Sequence, residues 1–169
     1  MYGQEGAPAA RPSGSTLAAA VRLLSGRRMT RAQLAQKLRD RGHALEAIDT
    51  ALAECERRKY LDDRTYAQLH LKSVLDRKAV GRLRLFQELV RNGVDGDLAR
   101  EVLDELEDDD DERIERALGK LEAMRPGDGY AQLGRRLERL GFGAPNIARA
   151  LRRSAERRGA MAEHMEALD

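Results

Sequence analysis

The residues able to do covalent or metal chemistry are few, and their spacing does not suit it. His43, His70 and His164 are scattered, one near a helix start, one in mid-helix and one near the end. A zinc site needs His and Cys at short, paired spacings. None of the three stands so with the single Cys55 or with a carboxylate. Cys55 continues a stripe of Ile48 and Leu52, which marks a core thiol rather than a nucleophile, and one cysteine excludes an intrachain disulfide. The acidic run Glu107 to Glu112 lacks the alternating ligands and central glycine of a calcium loop. It reads as a solvated linker that favourably charges the start of the next helix. No Gly-Lys-Ser/Thr phosphate loop is present. No catalytic residue, metal site or cofactor is therefore expected.

What the chain does carry is binding chemistry. Charged residues make up 36% of the sequence and aromatics 4%, with a net charge of +2. That small net value hides an asymmetry: residues 1–94 sum to +8, residues 95–125 to −8 and residues 126–169 to +2. A basic first half can approach phosphate, and an acidic middle is repelled by it, so uniform coating of nucleic acid is not expected. Candidate contacts are Arg27, Arg28, Arg31, Lys37, Arg39 and Arg41 in the first third of the chain. In the middle they are Lys72, Arg77, Lys78, Arg82, Arg84 and Arg91, and towards the end Arg135, Arg136, Arg139, Arg149, Arg152 and Arg153.

The elements that must position these residues follow from a triple pattern, Leu-x3-Leu-x3-Gly. It reads Leu34-Leu38-Gly42, Leu85-Leu89-Gly93 and Leu133-Leu137-Gly141, with glycines 51 and 48 residues apart. Each glycine is followed ten residues on by Leu52, Leu103 or Leu151. A repeat of this period means one supersecondary unit used three times. Heptad-like spacing of Leu, Ala, Ile and Val predicts helices throughout, in three groups of three. Boundaries are set at a disordered tail 1–14, repeats 15–58, 59–107 and 108–158, and a frayed end 159–169. Thr30 is expected to cap a helix, with Gln33 closing a capping box. Asp62 and Asp95 (or Gly96) start later helices, and the three glycines end theirs in left-handed caps. The fold class is all-α: three tandem three-helix repeats in an elongated, curved array.

Charge placement then bears on function. The third helix of unit 1 holds Glu46, Asp49, Glu54 and Glu56; that of unit 2 holds Asp95, Asp97, Glu101, Asp104 and Glu105. Such helices are poor readers of DNA grooves. Only unit 3, with Arg149, Arg152 and Arg153, stays compatible. Counted from the second leucine of each repeat, the position seven before is Arg31, Arg82 and Tyr130, and the position two after is Asp40, Arg91 and Arg139. Stacked repeats would align some of these arginines into a stripe, the usual binding face of such arrays.

Several segments resemble a known family. Tyr60-Leu61-Asp62-Asp63-Arg64-Thr65-Tyr66-Ala67 is similar to the signature Gly-Tyr-Leu-Asp-Asp-x-Arg-Phe-Ala of RecX regulatory proteins, with Lys59 in place of Gly and Tyr66 in place of Phe. Gly81, Arg84 to Leu89 and Gly93-Val94 resemble the family's second motif; Thr30 to Leu34 with Leu38 and Gly42 resemble the first, and Gly141-Phe142 with Ile147 and Leu151 the third. The resemblance spans about 17–157. It implies a non-enzymatic modulator of the RecA recombinase, usually an inhibitor, that binds in the groove of the RecA–DNA filament. Within these motifs Asp62 and Asp63 read as structural, a cap and a first-turn acid. The expected partner is the RecA filament, with single- or double-stranded DNA also in reach, no membrane, a monomeric state and a cytoplasmic location. The alternatives are a direct nucleic-acid binder acting through the basic stripe and a repeat scaffold for another partner.

Overall fold

Nine helices in three groups of three account for nearly all of residues 15–106 and 110–166, the part that the structure, a computed structural model, describes. The tail 1–14, the centre of the acidic run at 107–109 and residues 167–169 lie outside it. Unit 1 comprises α1 (Thr16–Gly26), α2 (Arg31–Asp40) and α3 (Leu45–Arg57). Unit 2 comprises α4 (Asp63–Leu75), α5 (Arg82–Arg91) and α6 (Gly96–Asp104), and unit 3 α7 (Asp110–Met124), α8 (Tyr130–Arg139) and α9 (Ala144–Glu166). Among the described residues there is no strand. The helix pairs that pack closely all lie within a unit.

The helices begin where short polar side chains can take up free backbone N–H groups. Ser15 accepts from the Ala18 N–H, Thr30 from Gln33, Asp62 from Thr65, and Asp95 from Asp97 and Leu98. The capping box expected at Thr30 is only half formed. Its hydroxyl accepts from the Gln33 N–H and donates to the Asn92 carbonyl of the next unit at 2.8 Å, but the Gln33 side chain does not return to the Thr30 N–H. The reciprocal half appears instead at α8, where the Gly129 N–H donates to Gln132 Oε1 at 2.7 Å.

The middle helices all end alike. Gly42, Gly93 and Gly141 have φ of 80°, 87° and 87°. That left-handed turn lets the following N–H return to the last leucine of the pattern: His43 to Leu38 (3.2 Å), Val94 to Leu89 (3.1 Å) and Phe142 to Leu137 (3.2 Å). The three residues so returned are all buried. α3 ends in the same manner with Lys59 at φ 60°, so the turn survives the absence of glycine at the cost of a strained lysine.

Each unit has its own core. Leu34, Leu38, Ile48, Leu52 and Cys55 centre the first; Leu71, Leu85, Leu89, Val102 and Leu103 the second; Ile114, Leu118, Leu133, Leu137 and Phe142 the third. Burial raises the pKa of the Cys55 thiol. The end expected to fray from residue 159 is instead helical as far as Glu166. Arg157 and Arg158, just before residue 159, are tied to Glu115 and Glu122 of α7 and hold the helix down.

Candidate interaction surface

The surface that the arginines share is set by the joints between units. In both joints the N-terminus of one unit's middle helix sits on the glycine turn of the next. At the first, Thr30 Oγ1 donates to Asn92 O, and a Cβ on Gly93 would lie 2.7 Å from the Ala32 Cβ. At the second, the Gly81 N–H donates to Leu140 O at 2.9 Å and the Leu83 N–H to Gly141 O at 3.2 Å. A Cβ on Gly81 would lie 2.2 Å from Gly141 O, and one on Gly141 2.4 Å from the Arg84 Cβ. Only paired glycines allow backbones this close.

The acidic pair of the Tyr60–Ala67 motif serves the first joint. Asp62 caps its own helix, accepting from the Thr65 N–H and hydroxyl at 3.0 Å each. The Thr65 backbone bond is the main reason its carboxyl pKa lies below the usual range. Asp63 reaches across instead and accepts from the Arg31 N–H, at the start of α2, at 2.8 Å. Burial pushes its carboxyl above the usual value, with that N–H only partly opposing. Asp63 is thus a cap, but for a helix of the neighbouring unit.

The candidate cations divide into spent and available. Arg31 pairs with Glu56 at 2.8 Å, Arg136 with Asp128 at 2.6 Å, and Arg82 with Asp104 and the Leu103 carbonyl. Arg149 pairs with Asp111 at 3.0 Å and Arg153 with Glu115 at 2.8 Å. Arg39 donates to Gln36 and Arg77 to Ser73. Arg27, Arg28, Lys37, Arg41, Lys72, Lys78, Arg84, Arg91, Arg135, Arg139 and Arg152 form no ion pair with a described residue; all but Lys37 are exposed.

Two groups of the available cations meet at joints. Arg84, Arg91 and Arg139 line a cleft of about 350 Å³ between α5 and the end of α8, with Leu83, Gln87, Glu88 and Glu138. The Arg84 guanidinium donates to Arg139 O at 3.3 Å, and Glu88 faces His70 Nε2 at 3.1 Å. Arg27 and Arg28 line a cleft of about 400 Å³ at the first joint with Tyr60, Asp62 and Tyr66. Tyr60 is 53% exposed there. The Tyr66 ring stacks on His70, with 5.9 Å between centroids. The structure brings Lys37, Arg41, Lys72, Lys78, Arg135 and Arg152 into neither cleft.

The acidic helices are largely self-neutralised. Arg64 bridges Glu101 and Glu105 from α4, and Arg100 pairs with Asp97 at 2.5 Å while lying over the Phe86 ring. Arg57 and Arg58 both grip Glu54, and these bonds pull its carboxyl down to about 2. Arg64, Arg157 and Arg158 were not singled out by sequence reasoning. For Arg157 the signal was the four-residue spacing that runs on from Arg149 and Arg153. His43 is buried, with Thr16 Oγ1 at 3.0 Å from its Nδ1, which makes it a boundary histidine of the core. Among the described residues no three His, Cys, Asp or Glu side chains are gathered to hold a metal, and no helix is long and apolar enough to cross a membrane.

Residues 17–55, the greater part of unit 1, match a family model described as the first three-helix domain of RecX. The chain is 30% identical over 167 residues to the regulatory protein RecX of Streptomyces coelicolor, covering 96% of this chain and 89% of the relative. The chain belongs to the RecX family. The RecX of Trichlorobacter lovleyi is 38% identical over 123 residues, covering 72% of this chain and 79% of the relative. The crystal structure of RecX from Lactobacillus salivarius superposes with a TM-score of 0.74 at 20% identity, covering 82% of this chain and 93% of that one. A second RecX crystal structure gives 0.70 at 17% identity, covering 80% and 71%. The RecX fold is therefore this all-helical repeat fold, and the RecX relatives are regulatory proteins. The motif around Asp62 and Asp63 lies at the joint between the first two units of the RecX array.

Proposed function

We propose that this RecX protein regulates the RecA recombinase by binding the RecA–DNA filament, and that it inhibits ATP turnover and strand exchange. The observation that carries the reading is the cleft at the second joint. Arg84, Arg91 and Arg139 come from two consecutive units, and none of them forms an ion pair with a described residue. A surface built across a joint suits a partner that is itself repetitive. Family membership supplies the regulatory role, and the side-chain inventory supplies no chemistry that would make the protein an enzyme. On this reading it is a cytoplasmic monomer that acts without a cofactor.

The test is a titration of the protein into RecA on single-stranded DNA, with ATP hydrolysis as readout. Hydrolysis should fall as the protein approaches stoichiometric amounts. Arg84→Glu with Arg139→Glu should weaken that effect by about tenfold or more, at unchanged helicity, as expected for reversing close interfacial charges. No change in hydrolysis with the unaltered protein sinks the reading. Tight, salt-sensitive DNA binding with RecA unaffected would favour a direct nucleic-acid binder.

A further inference from the structure

In unit 3 the first and third helices meet along a row of ion pairs whose arginines lie on the third helix, the reverse of unit 2, where Arg64 of α4 holds Glu101 and Glu105 of α6. On α9, Arg149, Arg153 and Arg157 recur every four residues, so they share one face at intervals of about 6 Å. Acids of α7 cover that face. Arg149 Nη2 donates to Asp111 Oδ1 at 3.0 Å. Arg153 Nε donates to Glu115 Oε1 at 2.8 Å, and its Nη1 lies 3.8 Å from Asp111 Oδ2. Arg157 Nη2 donates to Glu115 Oε2 at 2.9 Å. Further along, Arg158 Nη2 and Ser154 Oγ share Glu122 Oε1, at 3.0 and 2.6 Å. Three carboxylates thus hold four guanidiniums. Arg152, beside the row, is exposed and forms no ion pair with a described residue.

We propose that this face of α9 is a binding surface for a single nucleic-acid strand, and that the α7 carboxylates occupy it as internal substitutes for backbone phosphates. The arginines of these pairs keep 39–58% of their side-chain surface exposed, so each pair is open to competition. Guanidinium forks match phosphate as well as they match carboxylate. The row ends at an aromatic ring: the Arg158 guanidinium lies 5.6 Å from the centroid of Tyr130, which is 39% exposed. A basic track that closes on an exposed aromatic is how single strands are gripped, by phosphate contact and base stacking together. An acidic peptide would use the arginines but not the ring. The site involves only α7, α8 and α9 and does not depend on the RecA reading.

The experiment measures binding of a fluorescent oligothymidylate to the full chain, without RecA. Asp111→Asn with Glu115→Gln should tighten binding about tenfold at about 50 mM salt and steepen the logarithmic salt dependence by about 1 or more, as expected for at least two arginines released to a single strand. Glu46→Gln with Asp49→Asn makes the same charge change on α3 and should tighten it less than about twofold, the residue of long-range attraction alone. An equal gain in that control, or no gain in the first variant, overturns the proposal. Adding Arg149→Gln and Arg153→Gln to the first variant should abolish the gain; a surviving gain overturns it too. Should the double substitution unfold unit 3, Asp111→Asn alone should give about threefold, and no tightening overturns the proposal. Polyglutamate competing as well as oligothymidylate at equal charge would transfer the surface to acidic peptides and overturn the assignment to nucleic acid.

Discussion

The two joints of the array solve one packing problem with different chemistry. Between units 1 and 2 the link is made by side chains: the Thr30 hydroxyl on Asn92 O and the Asp63 carboxylate on the Arg31 N–H. Between units 2 and 3 it is made mainly by backbone, Gly81 to Leu140 and Leu83 to Gly141, with the Arg84 guanidinium adding a longer bond to Arg139 O. Thr30 and Gly81 occupy the same repeat position, eight residues before the second leucine. A hydroxyl there holds the neighbouring turn at arm's length, whereas a glycine lets it come into direct contact. The first joint is therefore tunable by side-chain substitution and by pH, and the second is governed by steric room.

The sharpest way to break that contrast is Gly141→Ala. The new methyl meets the Arg84 Cβ and N at 2.4 and 2.5 Å in a backbone with φ of 87°. A loss of more than about 3 kcal/mol is expected from overpacking and left-handed strain together. Urea unfolding checks the loss. Gly93→Ala should cost less, because its nearest neighbours are the side-chain atoms Ala32 Cβ and Thr30 Oγ1. Equal losses at the two positions would erase the distinction between the joints.

Thr30→Val probes the side-chain joint directly. It removes the donor to Asn92 O and the acceptor for Gln33 at a fully buried site, and should cost about 1–3 kcal/mol. Hydrogen exchange at the Gln33 amide should rise with it, while exchange at Gly81 should not change.

Acid titration separates the joints further. Glu54 is held at about 2 against an ordinary 4.5, and Asp62 and Asp95 are also lowered. Their stabilisation is present above the ordinary carboxylate pKa and is lost as the pH falls through the folded values. Asp63 is raised, so its contribution runs the other way, and folding improves as it takes up its proton. Urea midpoints should therefore fall between about pH 4.5 and 2. Asp63→Asn should steepen that fall by removing the opposing group. A shallower fall would reverse the sign assigned to Asp63.

The smallest effect is expected at the turn that leads into the first joint. Lys59 holds φ of 60°, where glycine is at ease, so Lys59→Gly should stabilise the protein by about 1 kcal/mol. Thermal melting would show this, and destabilisation would mean that the lysine side chain contributes more than its backbone strain costs.

Much of this was legible in the sequence. The leucines and glycines of the triple pattern locate the middle helices and their ends, because helix periodicity and left-handed caps are local properties. Asp62 could be read as a cap for the same reason. The partner of Asp63 could not, since it lies on a helix 32 residues away. Nor could the division of the cations. Arg82 and Arg84 are two residues apart and look alike in sequence, yet one is held by Asp104 and the other lines an inter-unit cleft without forming an ion pair with a described residue. Helix packing decides which arginine faces a carboxylate, and it joins residues distant along the chain. Arg149 and Arg153 show the same lesson: their helix looked free to bind until α7 was laid against it.

The glycine joint also bears on the order of folding. Contacts within a unit bridge no more than its own three helices, so each unit's helices and core can assemble separately. The Gly81 to Leu140 bond closes a loop as long as a whole repeat, and its entropy cost is repaid only when both turns already exist. Docking of units 2 and 3 is thus a late event on the folding path. Damage at Gly141 should appear mainly as faster unfolding, with little change in the rate at which the individual repeats form.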